Sequence, residues 1–124
     1  MRWKWKFVYI AEAHAMDEWP LKSGRFNNDR GAVVVEKQPT KGEERCHLAR
    51  RFVSDFGLRC DNHCYEFLVD DPERGEPFEK AYAPWPLRLY VIRGGKMEWI
   101  AQPKNCSYDE SIGELMRMLN RVEE

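Results

Sequence analysis

A chain of 124 residues is long enough to bury one core and short for two independent folds, so a single domain over 1–124 is expected. Lys plus Arg number 20 and Asp plus Glu 21, and a formal net charge of -1 removes the electrostatic case for a nucleic acid or an anionic membrane surface as partner. No stretch reaches the roughly 18 consecutive apolar residues of a membrane-spanning helix, and the opening Met1-Arg2-Trp3-Lys4 lacks the apolar run of a signal peptide.

Trp3, Trp5 and Phe7 alternate with Lys4 and Lys6 before Val8-Tyr9-Ile10, a period of two that predicts a strand over about 3–10. The same Trp-Lys alternation offers stacking and charge to a nucleic acid, but an edge strand accounts for it without a partner. Residues 11–38 lose the pattern among Gly, Asn, Asp and Pro, and form a long connection in which Ala32-Val33-Val34-Val35 is a candidate short strand. Thr40 as N-cap, Glu43 three residues later and Leu48, Ala49, Phe52, Val53 and Phe56 at helical spacing predict a helix over about 41–56 that stops at Gly57. Tyr65 to Val69 reads as a buried strand, and Glu76 to Tyr82 as one or two helical turns.

Leu87–Arg93 and Lys96–Ala101 flank Gly94-Gly95, whose tolerance of positive φ suits a type I′ hairpin turn. Ser107 with Glu110 is a second capping box, followed by Ile112, Leu115, Met116, Leu119 and Val122, so a closing helix is predicted against the sheet. The order strand, helix, strand, hairpin, helix gives an α/β fold with a mixed sheet flanked by helices, as in the second part of a thioredoxin-like fold.

Cys46, Cys60, Cys64 and Cys106 are too sparse for a disulfide framework and suggest a reducing compartment, with the cytoplasm as the expected location. Cys60-Asp61-Asn62-His63-Cys64 invites a zinc or redox reading. Zinc needs four ligands at compatible spacing, and the gap between the two thiols exceeds that of thioredoxin redox sites, so ordinary loop thiols are the default. No Gly-rich phosphate loop and no locally supported serine nucleophile are present, and neither a metal nor a cofactor is expected.

Val8-Tyr9-Ile10-Ala11-Glu12-Ala13-His14-Ala15-Met16-Asp17-Glu18-Trp19 resembles the signature of the iodothyronine deiodinases, where a strand ends in Tyr-Ile-Glu-Glu-Ala-His before a small residue and Asp-Gly-Trp. Arg88-Leu89-Tyr90-Val91-Ile92-Arg93-Gly94-Gly95-Lys96 is similar to the same family's hairpin. The two motifs, in the family's order, span about residues 7–119. The resemblance implies a thioredoxin-like oxidoreductase that removes iodine reductively from iodothyronine-like aromatics, with a thiol reductant as cosubstrate.

Within that chemistry a selenolate or thiolate takes up the iodine while His14, held by Glu12, gives a proton to the ring carbon. The alternative for His14 is an ordinary loop histidine. Arg88 matches an arginine the family places near its substrate, the alternative being an exposed strand arginine; Pro86 falls where thioredoxin folds carry a cis-proline, the alternative being an ordinary trans turn; Trp19 is a substrate-binding candidate or, with Asp17, holds the loop in shape. There are departures. Ala11 replaces a glutamate, Glu18 replaces a glycine, and Gln38-Pro39-Thr40 has no counterpart of a second family histidine.

The family's nucleophile-bearing strand and helix precede the strand at Phe7, before which only six residues stand, so the N-terminal βα portion is expected to be missing and this chain to be inactive alone. Two other function classes stay open: a non-catalytic thioredoxin-like interaction module that accepts a strand from a partner or a second copy, as in a homodimer, and a thiol peroxidase-like protein using one of the cysteines.

Overall fold

The computed structural model describes residues 3–19, 35–58, 65–101 and 107–121. In chain order they form strand β1 (Trp5–Tyr9), helix α1 (Gly42–Asp55), strand β2 (Tyr65–Val69), a 3₁₀ turn (Pro72–Arg74), helix α2 (Pro77–Tyr82), strands β3 (Tyr90–Arg93) and β4 (Lys96–Ile100), and helix α3 (Asp109–Asn120). The architecture is mixed α/β, with three helices and two small sheets. Most of the candidate strand at Ala32–Val35, and Cys60, Cys64 and Cys106, lie outside the described residues. None of the described helices is long and apolar enough to cross a membrane.

The chain packs as two compact units, one of Lys4–Pro86, the other of Met1–Trp3 with Leu87–Glu124. In the first, β1 and β2 pair in parallel, with Trp5 opposite Tyr65, Phe7 opposite Phe67 and Tyr9 opposite Val69. Side-chain alternation puts these six residues on one face. There the Phe7 ring stacks on Phe67 at 4.9 Å, and Tyr9 meets Phe52 of α1 edge-on at 6.0 Å. Parallel strands require a crossover, and α1 with its flanking segments supplies it.

The start of α1 is one residue later than the Thr40–Glu43 spacing suggests. The backbone N–H groups of Thr40 and Lys41 both donate to Glu44 Oε2, at 3.0 and 3.3 Å, and Lys41 is the N-cap. A carboxylate reaching back from the first turn, not the threonine hydroxyl, satisfies these donors.

Polar groups hold the centre of this unit. Arg45 of α1 is 1% exposed, donates from Nη1 to the Asp70 carbonyl at 2.8 Å and pairs through Nη2 with Glu76 Oε1 at 3.0 Å. Asp70, at the end of β2, donates its own N–H to the Tyr9 carbonyl at 2.9 Å. Its buried carboxylate accepts from the N–H groups of Phe78 and Glu79, at 2.8 and 2.9 Å, which caps α2.

In the second unit β3 and β4 form the expected antiparallel hairpin, and Gly94 and Gly95 take φ of 56° and 74°, the sign pattern of a type I′ turn. The register shifts between Val91 and Ile92, leaving Glu98 as the extra residue of a bulge. Helix α3 begins after Ser107, whose Oγ accepts from Asp109 N–H at 3.3 Å. Its face differs from the apolar stripe of the sequence: Ser111 is buried, whereas Ile112 and Met116 are 49% and 50% exposed.

One mixed sheet was expected; among the described residues there are two separate two-stranded sheets. β1 pairs with β2 across the α1 crossover, and β3 pairs with β4 through the Gly94-Gly95 turn. The apolar residues that are fully enclosed are small, including Ala15, Val35, Val91 and Ala101, while Phe7, Phe52, Phe56 and Leu68 remain exposed.

Candidate functional site

Beyond Tyr9 the chain leaves the strand and doubles back, so residues 10–19 no longer alternate. The N–H groups of Glu18 and Trp19 both donate to the Ala15 carbonyl at 3.1 Å, and Met16 N–H donates to the Val35 carbonyl at 2.9 Å. This tight turn carries Glu12, His14, Asp17 and Trp19.

His14 and Glu12 are not engaged as the sequence suggested. Glu12 Oε1 accepts from the Tyr9 hydroxyl, and His14 Nδ1 lies 3.0 Å from the Trp19 carbonyl. The expected pairing rested on strand alternation, which ends at Tyr9. A carbonyl only accepts, so Nδ1 carries the hydrogen and Nε2 is the nitrogen left for chemistry. Burial pushes the Glu12 carboxyl above its ordinary pKa, and the nearby Arg45 guanidinium offsets part of that rise.

Trp19 is 61% exposed, its ring 4.9 Å from the His14 imidazole and tilted against it. The Trp19 ring also stacks with Trp85 at 6.3 Å, the planes 26° apart. Trp85 precedes Pro86 through a cis peptide bond. His14, Trp19 and Trp85 thus form a row of rings, two of them indoles open to solvent. A flat aromatic ligand can stack on such a surface beside an imidazole.

Gln38 was noted in the sequence only as the place where a second histidine is lacking. Its Oε1 accepts from Glu12 N–H at 2.9 Å, and its Nε2 donates to the Glu12 carbonyl at 2.8 Å and to Glu18 Oε2 at 3.1 Å. Its backbone N–H donates to Asp17 Oδ1 at 3.0 Å. Pattern reading had no means to find it, because a lone amide in a loop has no periodicity. Arg45 did leave a signal: it sits three and four residues before Leu48 and Ala49, on the apolar stripe of α1, where a charged residue must be paired if buried.

Glu12, His14, Trp19 and Pro86 therefore belong to the Lys4–Pro86 unit, and the structure brings His14, Trp19 and Trp85 into ring contact. Arg88 belongs to the other unit, where its Nη1 donates to the Leu87 carbonyl at 2.7 Å and to the Tyr108 hydroxyl at 3.2 Å. Cys46 is a half-buried free thiol on α1. Among the described residues no group of three or more His, Cys, Asp or Glu side chains is arranged to hold a metal ion. An apolar cleft of about 230 Å³ opens elsewhere, between Phe7, Tyr65 and Phe67 of the sheet and Gly57 and Leu58 after α1.

No known protein-family profile, curated protein or solved structure matches this chain.

Proposed function

We propose that this chain carries the proton-donating and ring-binding part of a reductive dehalogenase of deiodinase type, on a thioredoxin-like fold. The supporting observation is the imidazole of His14, tethered through Nδ1 to the Trp19 carbonyl and in contact with the exposed Trp19 ring, which in turn stacks with Trp85. The aryl ring of an iodinated substrate stacks on the indoles. A selenolate or thiolate attacks iodine, the carbon–iodine electron pair stays on the ring carbon, and His14 in its protonated form delivers a proton from Nε2 to that carbon.

The products are the deiodinated arene and a chalcogen–iodine bond. Two equivalents of thiol then release iodide, regenerate the chalcogenolate and leave as a disulfide. In this reading Pro86 stands beside the ring surface, next to Trp85. The matched motifs contain the proton donor and not the nucleophile, so the chain alone is expected to be inactive.

The test supplies the nucleophile from solution. The chain is incubated with an iodothyronine, dithiothreitol and a small alkyl selenol, and iodide is measured. Release above the protein-free rate, lost in His14→Ala, is the expected result; a rate indifferent to His14→Ala defeats the proposal.

A second reading has its own support. Two-stranded sheets are marginal alone and parallel pairs more so, and among the described residues β1 pairs with β2 only. A non-catalytic module would use the other edge of β1 to accept a strand, from a partner or in a homodimer. Sedimentation equilibrium separates the two: an obligate dimer without His14-dependent iodide release favours the module.

A further inference from the structure

We propose that Gln38 is the positioning residue of this turn, fixing the tautomer of His14 without touching it. The inference rests on the dehalogenase reading for its catalytic meaning, and its structural part stands separately.

Gln38 uses its side-chain amide as a backbone surrogate, accepting from the Glu12 N–H at 2.9 Å and donating to the Glu12 carbonyl at 2.8 Å. The amide also donates to Glu18 Oε2 at 3.1 Å, and the Gln38 backbone N–H donates to Asp17 Oδ1 at 3.0 Å. Gln38 therefore grips the turn at three residues, one before His14 and two between His14 and Trp19. The Trp19 carbonyl, next after Glu18, is the group that takes the His14 Nδ1 hydrogen.

Pro39 follows immediately and is buried, and α1 starts three residues after it, at Gly42, so the clamp is anchored on a rigid element. The chemistry needs an amide here. A carboxylate at position 38 keeps an acceptor for Glu12 N–H but has no hydrogen for the Glu12 carbonyl, and it meets the Glu18 carboxylate as a like charge. A thioether keeps the length and makes neither bond.

With the clamp in place, Nδ1–H is the favoured neutral tautomer and Nε2 is the nitrogen left without the hydrogen. Without it the Trp19 carbonyl is free to move, and the preference weakens by the value of one ordinary hydrogen bond, about fivefold in the tautomer ratio.

The experiment is nitrogen-15 NMR of the histidine rings at a pH where they are neutral, with His14 assigned by its loss in His14→Gln. The wild-type chain is expected to show His14 mainly as Nδ1–H. Gln38→Glu and Gln38→Met are each expected to move the ratio about fivefold toward Nε2–H, with unchanged far-ultraviolet circular dichroism. A wild-type ring found mainly as Nε2–H overturns the proposal whatever the variants do, and so does a ratio that both variants leave unchanged. A tautomer that depends on Gln38, in a chain whose iodide release ignores His14, preserves the clamp and removes the dehalogenase reading.

Discussion

Replacing Arg45 by Met removes a guanidinium that is 1% exposed while keeping most of its volume, so the loss is electrostatic and not a cavity. Two partners are stranded. The Asp70 carbonyl loses a 2.8 Å bond in a residue 2% exposed, a cost of about 1–3 kcal/mol for an unsatisfied buried group. Glu76 loses its 3.0 Å ion pair, but its side chain is 34% exposed and water takes part of the place. Breaking a fully buried pair costs roughly 3–5 kcal/mol, and the exposure of Glu76 puts this case near the lower end. Arg45 Nε is buried with no hydrogen-bond partner, so its removal returns a little. A net loss of about 3 kcal/mol follows, or roughly 10 °C in Tm for a chain of this size.

Urea unfolding of wild type, Arg45→Met, Glu76→Gln and the double variant measures it. The double variant recovers about 1 kcal/mol relative to the sum of the two singles, because the stranded carboxylate is gone. A loss below about 1 kcal/mol in Arg45→Met, or strict additivity, would refute the claim that this pair organises the unit.

Glu12 gives a pH prediction. Its folded pKa is raised above 4.5, so the native state holds the proton more tightly than the unfolded chain and this group's contribution falls as pH rises from about 4.5 through the folded value. Glu12→Gln should therefore gain on wild type in urea midpoint at pH 8, with the difference shrinking toward pH 5; a constant difference contradicts the raised pKa. Asp70→Ala removes the acceptor for Phe78 and Glu79 N–H and should cost about 1–3 kcal/mol, with Asp70→Asn losing less, as read by thermal unfolding. Trp19→Leu should weaken binding of an aromatic ligand by up to about tenfold while leaving the unfolding free energy from urea titration within about 0.5 kcal/mol of wild type, since this indole is largely exposed.

What was legible in the sequence followed from periodicity. Alternation at Trp5–Tyr9, the apolar run at Tyr65–Val69 and the glycine pair at Gly94-Gly95 each fix an element through local sterics and patterning, and the structure has those elements in that order. Two details were not legible, one a local cap and the other set by packing. The α1 cap moved one residue because Glu44 reaches two backbone donors, and α3 turned Ser111 inward and left Ile112 and Met116 outside.

The site divides in the same way. The ring row depends on Trp85, far from Trp19 in sequence, and neither Gln38 nor the Tyr9–Glu12 contact has a pattern that announces it. The tether of His14 to a backbone carbonyl was hidden because strand geometry stops at Tyr9, where the sequence reading carried it on to His14.

In the proposed function the exposed indoles of Trp19 and Trp85 seat an iodinated ring beside His14. Titration of the chain with an iodothyronine, followed together by indole emission and the His14 ring resonances, tests it most directly. Heavy-atom quenching that saturates in step with a His14 shift, both diminished in Trp19→Leu, is the expected result. Saturable quenching with the His14 resonances unmoved would place the ligand elsewhere and contradict the account.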